Sequence, residues 1–248
     1  MKFTEWLYST YPNPKVDGAW GSLHITVLLL CIAWIVASSL LLRKKSECTK
    51  RIVLWSLGAI LLVLGITRRI VGFITATELP LEKVLRILLP RPGCAISCWL
   101  VLIALVVNKK FFYNFASIIS IICAVIFFAY PSVGFNNEYI LFENLYSIVT
   151  HSCFLSMAIC FITYKFTDFS YKTIWKEGIC LGVMLIYTFL EIYVMKIDPD
   201  PFYFLPENEV IEVLGGMSYA LYLPLYLLFI AVYINAFYLI PHLKEKKK

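Results

Sequence analysis

Residues 139–164 read YILFENLYSIVTHSCFLSMAICFITY, and in this stretch Glu143 is the one charged side chain. A helix that crosses the hydrocarbon core of a bilayer needs about 20 predominantly apolar residues. The stretch is therefore long and apolar enough to form one membrane-spanning helix. Runs of the same kind recur along the chain, and they predict seven spans at about 22–42, 52–74, 93–107, 112–130, 139–164, 174–195 and 211–240.

The composition of the whole chain supports this interpretation. Of 248 residues, 60% are hydrophobic and 15% are charged, whereas a soluble domain carries about 25% charged residues. Seven spans of about 20 residues take up about 140 residues and leave short loops. We therefore predict an all-α protein with a single integral membrane domain, residues 1–248. The net charge of +6 does not indicate a nucleic-acid partner, because Lys and Arg cluster at the ends of the apolar segments.

The charges of the loops predict the orientation. The loop 43–51 has five Lys or Arg residues and the C-terminal tail has four lysines, whereas the loops 131–138 and 197–210 have none. Because cytoplasmic loops carry an excess of Lys and Arg, we expect the N-terminus outside and the C-terminus in the cytoplasm. The first span is predicted to be retained, since its basic cluster follows the apolar run. The expected location is a cell membrane, crossed several times, with a bacterial cytoplasmic membrane favoured.

Two segments interrupt the plain pattern of helices. Residues 75–93 contain Pro80, Pro90 and Pro92, which prevent one continuous helix. We expect a short lid or re-entrant piece there, because irregular backbone at membrane depth needs protein or water around it. The segment 197–210 combines prolines with aromatic residues, which is typical of an anchor at the membrane interface.

The number and positions of the cysteines and histidines limit which kinds of site the chain can form. Seven of the eight cysteines lie in apolar runs, and Cys48 lies in a charged loop, so the pattern does not indicate a disulfide framework. Three histidines are too few for most zinc sites. We predict neither a metal nor a cofactor.

Ionisable side chains inside membrane spans are costly and often mark functional sites. Counting about 1.5 Å per residue from the predicted cytoplasmic end of each span places four candidates at about 21–25 Å, in one layer. These four are Cys94, His151, Glu191 and Arg68. The remaining candidates are Arg69, and also His24 and Glu143, which the same counting places nearer the outer surface.

Within this layer, Cys94 and His151 suggest a nucleophile and a base. Cys94 follows the string Pro90-Arg91-Pro92-Gly93, which is typical of a helix start, where free backbone N–H groups and the helix dipole favour a thiolate. The alternative is that Cys94 is a small packing residue, with Cys98 as a second candidate nucleophile. His151 is either a general base or a partner in a hydrogen bond between helices.

The other candidates have less specific patterns. Glu191 either orients an imidazole or pairs with Arg68 or Arg69. His24, at the start of the first span, either binds a lipid headgroup or caps the helix. Arg68, Arg69 and Arg91 are candidates for holding a lipid phosphate.

Four short motifs resemble a known family. They are Gly21 to His24, Leu89-Pro90 to Cys94, Phe142 to His151-Ser152, and Leu214-Gly215. With these motifs the chain resembles the YwaF-type integral membrane proteins of bacteria. That group is similar to transmembrane protein 164, an acyltransferase of ether phospholipids with a Cys–His pair. It is more distantly similar to the androgen-induced membrane hydrolases, which use a Thr–His pair. The resemblance implies that Cys94 is the acyl-accepting nucleophile and His151 its base.

The sequence therefore leads to two hypotheses. The first is a seven-helix lipid acyltransferase or ester hydrolase that forms a thioester on Cys94 and binds a membrane phospholipid or fatty-acyl ester. The second is a transporter or an accessory membrane subunit, with a polar layer that contains Arg68 and Glu191, and with residues 75–93 as a gate.

Overall fold

The computed structural model describes residues 1–90, 93–129, 134–195, 203, 205–206, 210–211 and 214–245. These residues are predominantly helical, as predicted, and in this part of the chain the β-type pairing is one isolated bridge between Lys15 and Asn137. Three of the predicted loop and tail regions fall outside the described residues: 131–133, most of 197–210, and the last three lysines.

The described helices follow the predicted spans closely. They are α1 (Phe3–Leu7), α2 (Ser22–Leu42), α3 (Glu47–Thr75), α4 (Leu81–Leu88), α5 (Gly93–Val107), α6 (Lys110–Ala129), α7 (Phe142–Thr163), α8 (Trp175–Phe189) and α9 (Tyr219–Glu245). A 3₁₀ turn, Tyr171–Thr173, precedes α8, and a π-helical turn, Leu190–Val194, follows it. The last helix begins at Tyr219 instead of 211. Gly215 and Gly216 have φ values of +79° and +75°, which are incompatible with a right-handed helix.

Six of these helices are long and apolar enough to cross a membrane, and the count rises to seven if α4 and α5 form one broken span. The axes of α4 and α5 are bent by 52° relative to each other. The protein is thus a multi-pass membrane protein with six to seven candidate spans. The segment 75–93 is interrupted as predicted, and its middle is the short helix α4.

The chain forms two compact units. The first comprises residues 1–89 and 94–167, and the second comprises residues 90–93 and 168–248. In the first unit, α7 packs against α6, α3 and α2. The centre of this unit is apolar and closely packed, with fully buried side chains that include Leu54, Val101, Phe154, Met157 and Phe161.

A short structure that we call the N-terminal cover joins residues 13–18 to residues 135–141. The N–H of Val16 donates to the carbonyl of Asn136 at 3.1 Å, and the N–H of Glu138 donates to the carbonyl of Pro14 at 3.0 Å. A Cβ atom at Gly18 would lie 1.4 Å from the carbonyl oxygen of Phe135. The cover therefore requires glycine at this position. Its two segments lead into the N-terminal ends of α2 and α7.

The second unit contains buried carboxyl groups on its first long helix. Glu177 of α8 is 1% exposed and accepts a hydrogen bond of 2.5 Å from the Tyr238 hydroxyl of α9. Glu191 is 0% exposed and lies in the π-helical turn that continues α8. Burial of a carboxyl group in a membrane-spanning helix requires polar partners, and the Tyr238 hydroxyl is one for Glu177.

Candidate functional site

Cys94 lies in the first turn of α5, where backbone N–H groups have no partner within the helix. Its side chain is partly buried. Its thiol interacts electrostatically with the thiol of Cys123 on α6, which also interacts with Ser97. One turn further along α5, the Cys98 thiol donates to the Cys94 carbonyl at 3.6 Å. The described partner of Cys94 is thus a second thiol.

His151 lies in the middle of α7 with 7% of its side chain exposed. Its Nδ1 atom lies 2.6 Å from the carbonyl oxygen of Ser147, one turn earlier. A carbonyl oxygen only accepts hydrogen bonds, so Nδ1 carries the proton of the neutral ring. Nε2 therefore presents its lone pair, and this buried atom has no hydrogen-bond partner among the described residues. The imidazole is in the tautomer that a general base requires.

Helix α6 connects the surroundings of these two side chains. Phe127 stacks on the His151 ring with 3.7 Å between the centroids and an angle of 11° between the planes. Cys123 and Phe127 are four residues apart, so they lie on the same face of α6. Cys94 contacts the first of them and His151 contacts the second. The two candidate residues thus approach one face of α6 from α5 and α7.

His24 is fully buried at the start of α2, with 0% of its side chain exposed. Its Nδ1 atom accepts a hydrogen bond of 3.0 Å from the backbone N–H of Trp20. The ring lies 4.6 Å from the Phe135 ring, which in turn lies 5.8 Å from the Phe127 ring. His24, Phe135, Phe127 and His151 consequently form a continuous series of ring contacts, which we call the aromatic row.

Arg68 contacts the first turns of α7. Its Nη2 atom lies 3.7 Å from Oε1 of Glu143, and its guanidinium group lies 4.9 Å from the centre of the Tyr146 ring. The side chains of Arg68 and Glu143 are 41% and 62% exposed. Arg68 thus has its ion-pair partner within the first unit, at Glu143. Glu191, the partner suggested by the sequence, belongs to the second unit.

Arg69 holds α4 against α3. Its Nε and Nη2 atoms donate to the Leu88 carbonyl at 3.2 and 3.1 Å, and Nη1 donates to the Gly65 carbonyl at 3.0 Å. Its guanidinium group also lies 5.2 Å from the centre of the Trp99 ring. Because the last carbonyls of a helix lack intrahelical partners, Arg69 satisfies the C-terminal end of α4.

Several further positions complete the description. Arg91 lies outside the described residues. Among the described residues there is no group of three or more His, Cys, Asp or Glu side chains that could hold a metal ion.

Sequence reasoning did not identify Cys123, Phe127 or Phe135 as parts of the site. Cysteine and phenylalanine are common in apolar spans, so these residue types alone did not indicate a functional site.

Comparison with known families agrees with the fold. A sequence model of the TMEM164 family matches residues 19–240. The matched region includes α2 to α8, most of α9, and the positions of Cys94 and His151. Searches of curated proteins and of solved structures find no match. Because the match covers most of the chain, this protein belongs to the TMEM164 family.

Proposed function

We propose that this protein is a membrane-embedded acyltransferase or ester hydrolase that acts on the acyl groups of phospholipids or fatty-acyl esters. In this proposal Cys94 is the nucleophile and His151 is its base. Membership of the TMEM164 family is compatible with an acyltransferase. The observation that carries the proposal is the Nε2 atom of His151, a buried basic nitrogen whose tautomer is set by Ser147.

The proposed reaction has two steps and needs no cofactor. Nε2 of His151 takes the proton of the Cys94 thiol, and the sulfur attacks the ester carbonyl carbon. A carbon–sulfur bond forms, the carbon–oxygen bond breaks, and the leaving alcohol takes the proton from His151. A lyso-lipid hydroxyl or a water molecule then attacks the thioester. His151 takes the proton of that hydroxyl or water and returns it to the sulfur. Attack by the lyso-lipid hydroxyl completes acyl transfer, and attack by water completes hydrolysis.

The thiol must turn from Cys123 towards His151 for the first step. We propose that a rotamer change of the partly buried Cys94 side chain achieves this, because Cys94 and His151 have their neighbours Cys123 and Phe127 on the same face of α6. The first turn of α5 supplies backbone N–H groups beside the sulfur. Such donors stabilise the negative oxygen of a tetrahedral intermediate, and we assign them this role.

Arg68 is the side chain that we propose for a phosphate group of the lipid. Its ion pair with Glu143 is 3.7 Å long, and the two side chains are 41% and 62% exposed, so the protein does not enclose the pair. A phosphate can replace the Glu143 carboxylate as the partner of the guanidinium group. Arg69 has a different role in this proposal, because its hydrogen bonds to Leu88 and Gly65 position α4.

The test is to detect the acyl-enzyme. Purified protein in lipid nanodiscs is incubated with a phospholipid that carries an alkyne at the end of its acyl chain. Intact-mass analysis and peptide mapping then locate the acyl group. We expect an adduct on Cys94 that hydroxylamine removes, no adduct in Cys94→Ala, and a strongly reduced rate in His151→Gln.

Cys160→Ala is the matched control for this test. Cys160 is a buried thiol of the same unit, and it lies 3.7 Å from the Ser38 hydroxyl, away from the aromatic row. This variant is expected to keep the parent rate. If Cys94→Ala turned over every lipid that the parent does, the proposal would be wrong. Transport across the membrane, tested with Arg68 and Glu191 variants, would then be the next hypothesis.

A further inference from the structure

We propose that His24 is a substrate-binding residue of this site, whose Nε2–H donates a hydrogen bond to an oxygen atom of the bound lipid. The inference rests on the proposed function, because it assigns the lipid to the site of Cys94 and His151. It adds a binding position on another helix, α2, and it specifies the atom and the direction of the hydrogen bond.

The hydrogen bond at Nδ1 determines the tautomer of His24. The backbone N–H of Trp20 is a donor and points at Nδ1 at 3.0 Å. Nδ1 must therefore accept, and the proton of the neutral ring lies on Nε2. This arrangement is the opposite of that at His151, where Nδ1 donates to Ser147 and Nε2 carries the lone pair. The protein thus holds one buried imidazole as a donor and another as an acceptor.

The donor at Nε2 is buried and unsatisfied. His24 has no exposed surface, and its Nε2 atom has no hydrogen-bond partner among the described residues. Buried N–H groups without a partner are rare in folded proteins, because they lose their hydrogen bonds to water. Such a group is explained when a ligand supplies the missing acceptor.

The surroundings of His24 are built to hold this ring in place. Trp20 has a left-handed backbone with φ of +61°, which aims its N–H at Nδ1. Phe135 covers the ring at 4.6 Å, and it reaches this position only because residue 18 is glycine. A helix cap alone would not require this enclosure, since helix ends are also satisfied by water.

The packing of α2 on α7 gives the position of His24 relative to His151. Cys31 interacts with Ser152, and the Ser38 hydroxyl lies 3.7 Å from the Cys160 sulfur, so the two helices run in the same direction with an offset of 121 to 122 residues. The same offset places His24 level with residues 145–146 of α7. It therefore lies about 8 Å from His151 along the helix axis, towards the N-terminal end of α7.

One glycerolipid molecule is long enough to contact both His151 and His24 across this axial distance. When the reacting ester carbonyl lies at Cys94 and His151, the second ester and the headgroup lie further along the same molecule. The oxygens of esters and phosphates accept hydrogen bonds and do not donate them, so an N–H group is the matching partner. His24 supplies this N–H at the end of the aromatic row opposite His151.

The test compares two substitutions that each keep one nitrogen function of the ring. In His24→Asn, the side-chain oxygen can accept from the Trp20 N–H, but the donor at the Nε2 position is lost. In His24→Gln, the amide nitrogen can reach the Nε2 position as a donor. We expect about a tenfold or larger loss of lipid turnover in His24→Asn, about 1.4 kcal/mol by the usual conversion, and a smaller loss in His24→Gln. A residue that only caps α2 predicts the reverse order.

Three readouts separate this inference from other outcomes. The alkylation rate of Cys94 by iodoacetamide needs no lipid and should stay at the parent value in both variants. Unchanged turnover in His24→Asn, with turnover abolished in Cys94→Ala, would refute the role of His24 and leave the proposed function intact. Full turnover in Cys94→Ala would refute the proposed function itself. The thermal midpoint of each variant identifies losses that come from unfolding.

The lipid used in the assay identifies the acceptor. Phosphatidylcholine and diacylglycerol with the same labelled acyl chain differ in the phosphate. A loss confined to phosphatidylcholine assigns the hydrogen bond to a phosphate oxygen, and a loss with both lipids assigns it to an ester oxygen. Binding without turnover provides a second test. In ¹⁵N-histidine spectra of Cys94→Ala, ordinary phosphatidylcholine, which keeps both its ester and its phosphate oxygens, should shift the Nε2–H resonance of His24, and an unchanged resonance would contradict the inference.

Discussion

Helices α7 and α9 have nearly the same hydropathy and very different surroundings. The most apolar windows of the two helices have mean hydropathies of 1.8 and 1.9, yet 61% of the first window and 11% of the second are buried. Helix α7 carries His151, Thr150 and Ser156 in buried positions. Helix α9 exposes Leu225, Leu228, Phe229 and Val232. Hydropathy therefore identifies a membrane-spanning helix, but it does not distinguish an enclosed helix from an exposed one.

The difference in enclosure between α7 and α9 affects which polar side chains can take part in a reaction. Inside a bilayer the surroundings of an exposed helix face are hydrocarbon, where a polar group has no partner. An enclosed helix can hold a polar side chain against groups of other helices, as α7 holds the His151 ring against Phe127 of α6. The enclosed helices α6 and α7 accordingly carry Cys123 and His151 of the candidate site.

The largest expected contrast between the two helices is in packing. Met157 of α7 is 0% exposed, whereas Val232 of α9 is 61% exposed. Met157→Ala should lower the free energy of unfolding by about 2–5 kcal/mol, because it leaves a cavity in a closely packed core. Val232→Ala should change it by at most about 0.5 kcal/mol. Thermal or denaturant unfolding in detergent micelles measures both. Equal losses would show that α9 is as enclosed as α7.

A smaller contrast concerns two glycines. Gly18→Ala brings a Cβ atom onto the Phe135 carbonyl, so it should destabilise the N-terminal cover by about 1–3 kcal/mol. A methyl group added at Gly178 of α8 would meet no atom of the described residues within 4 Å. Gly178→Ala should therefore stabilise the protein by about 0.5–1 kcal/mol, the gain for alanine in a helix interior.

The two glycine variants are compared by their unfolding midpoints and by the fluorescence of the tryptophans. Because Phe135 covers His24, Gly18→Ala should also reduce lipid turnover, whereas Gly178→Ala should leave turnover at the parent level. If Gly18→Ala kept both the stability and the turnover of the parent, the close approach of Gly18 to Phe135 would be wrong.

The smallest perturbation is a chemical label. Among the cysteines, Cys48 is exposed in the first turn of α3, and the other seven are buried or partly buried. A membrane-impermeant maleimide should therefore label Cys48 and leave the enclosed thiols unmodified. The predicted orientation places Cys48 on the cytoplasmic side, so labelling should require permeabilised cells. Labelling of Cys48 in intact cells would reverse the orientation, and Cys48→Ser is the control.

Arg68 illustrates how far counting along helices can predict a site. Counting placed Arg68 level with Cys94 and His151, and it placed Glu143 nearer the surface. The structure pairs Arg68 with Glu143 at 3.7 Å. The long apolar stem of arginine allows the guanidinium group to reach a carboxylate at another depth. Depth along a helix fixes the Cα atom, and the side-chain partner depends on which helix lies beside it.

By itself, the sequence determined that this protein is helical and which residue types in its spans are chemically unusual. It also located the spans to within about five residues, except at the start of α9. These properties follow from local physics, since a segment in hydrocarbon must satisfy its backbone within its own helix. Tertiary structure alone decided that α6 and α7 are enclosed and that Cys94 contacts Cys123. It also decided that the His24 ring lies against Phe135 and that the His151 ring lies against Phe127. These contacts join residues that are far apart in the sequence, and they form only when the helices have packed together.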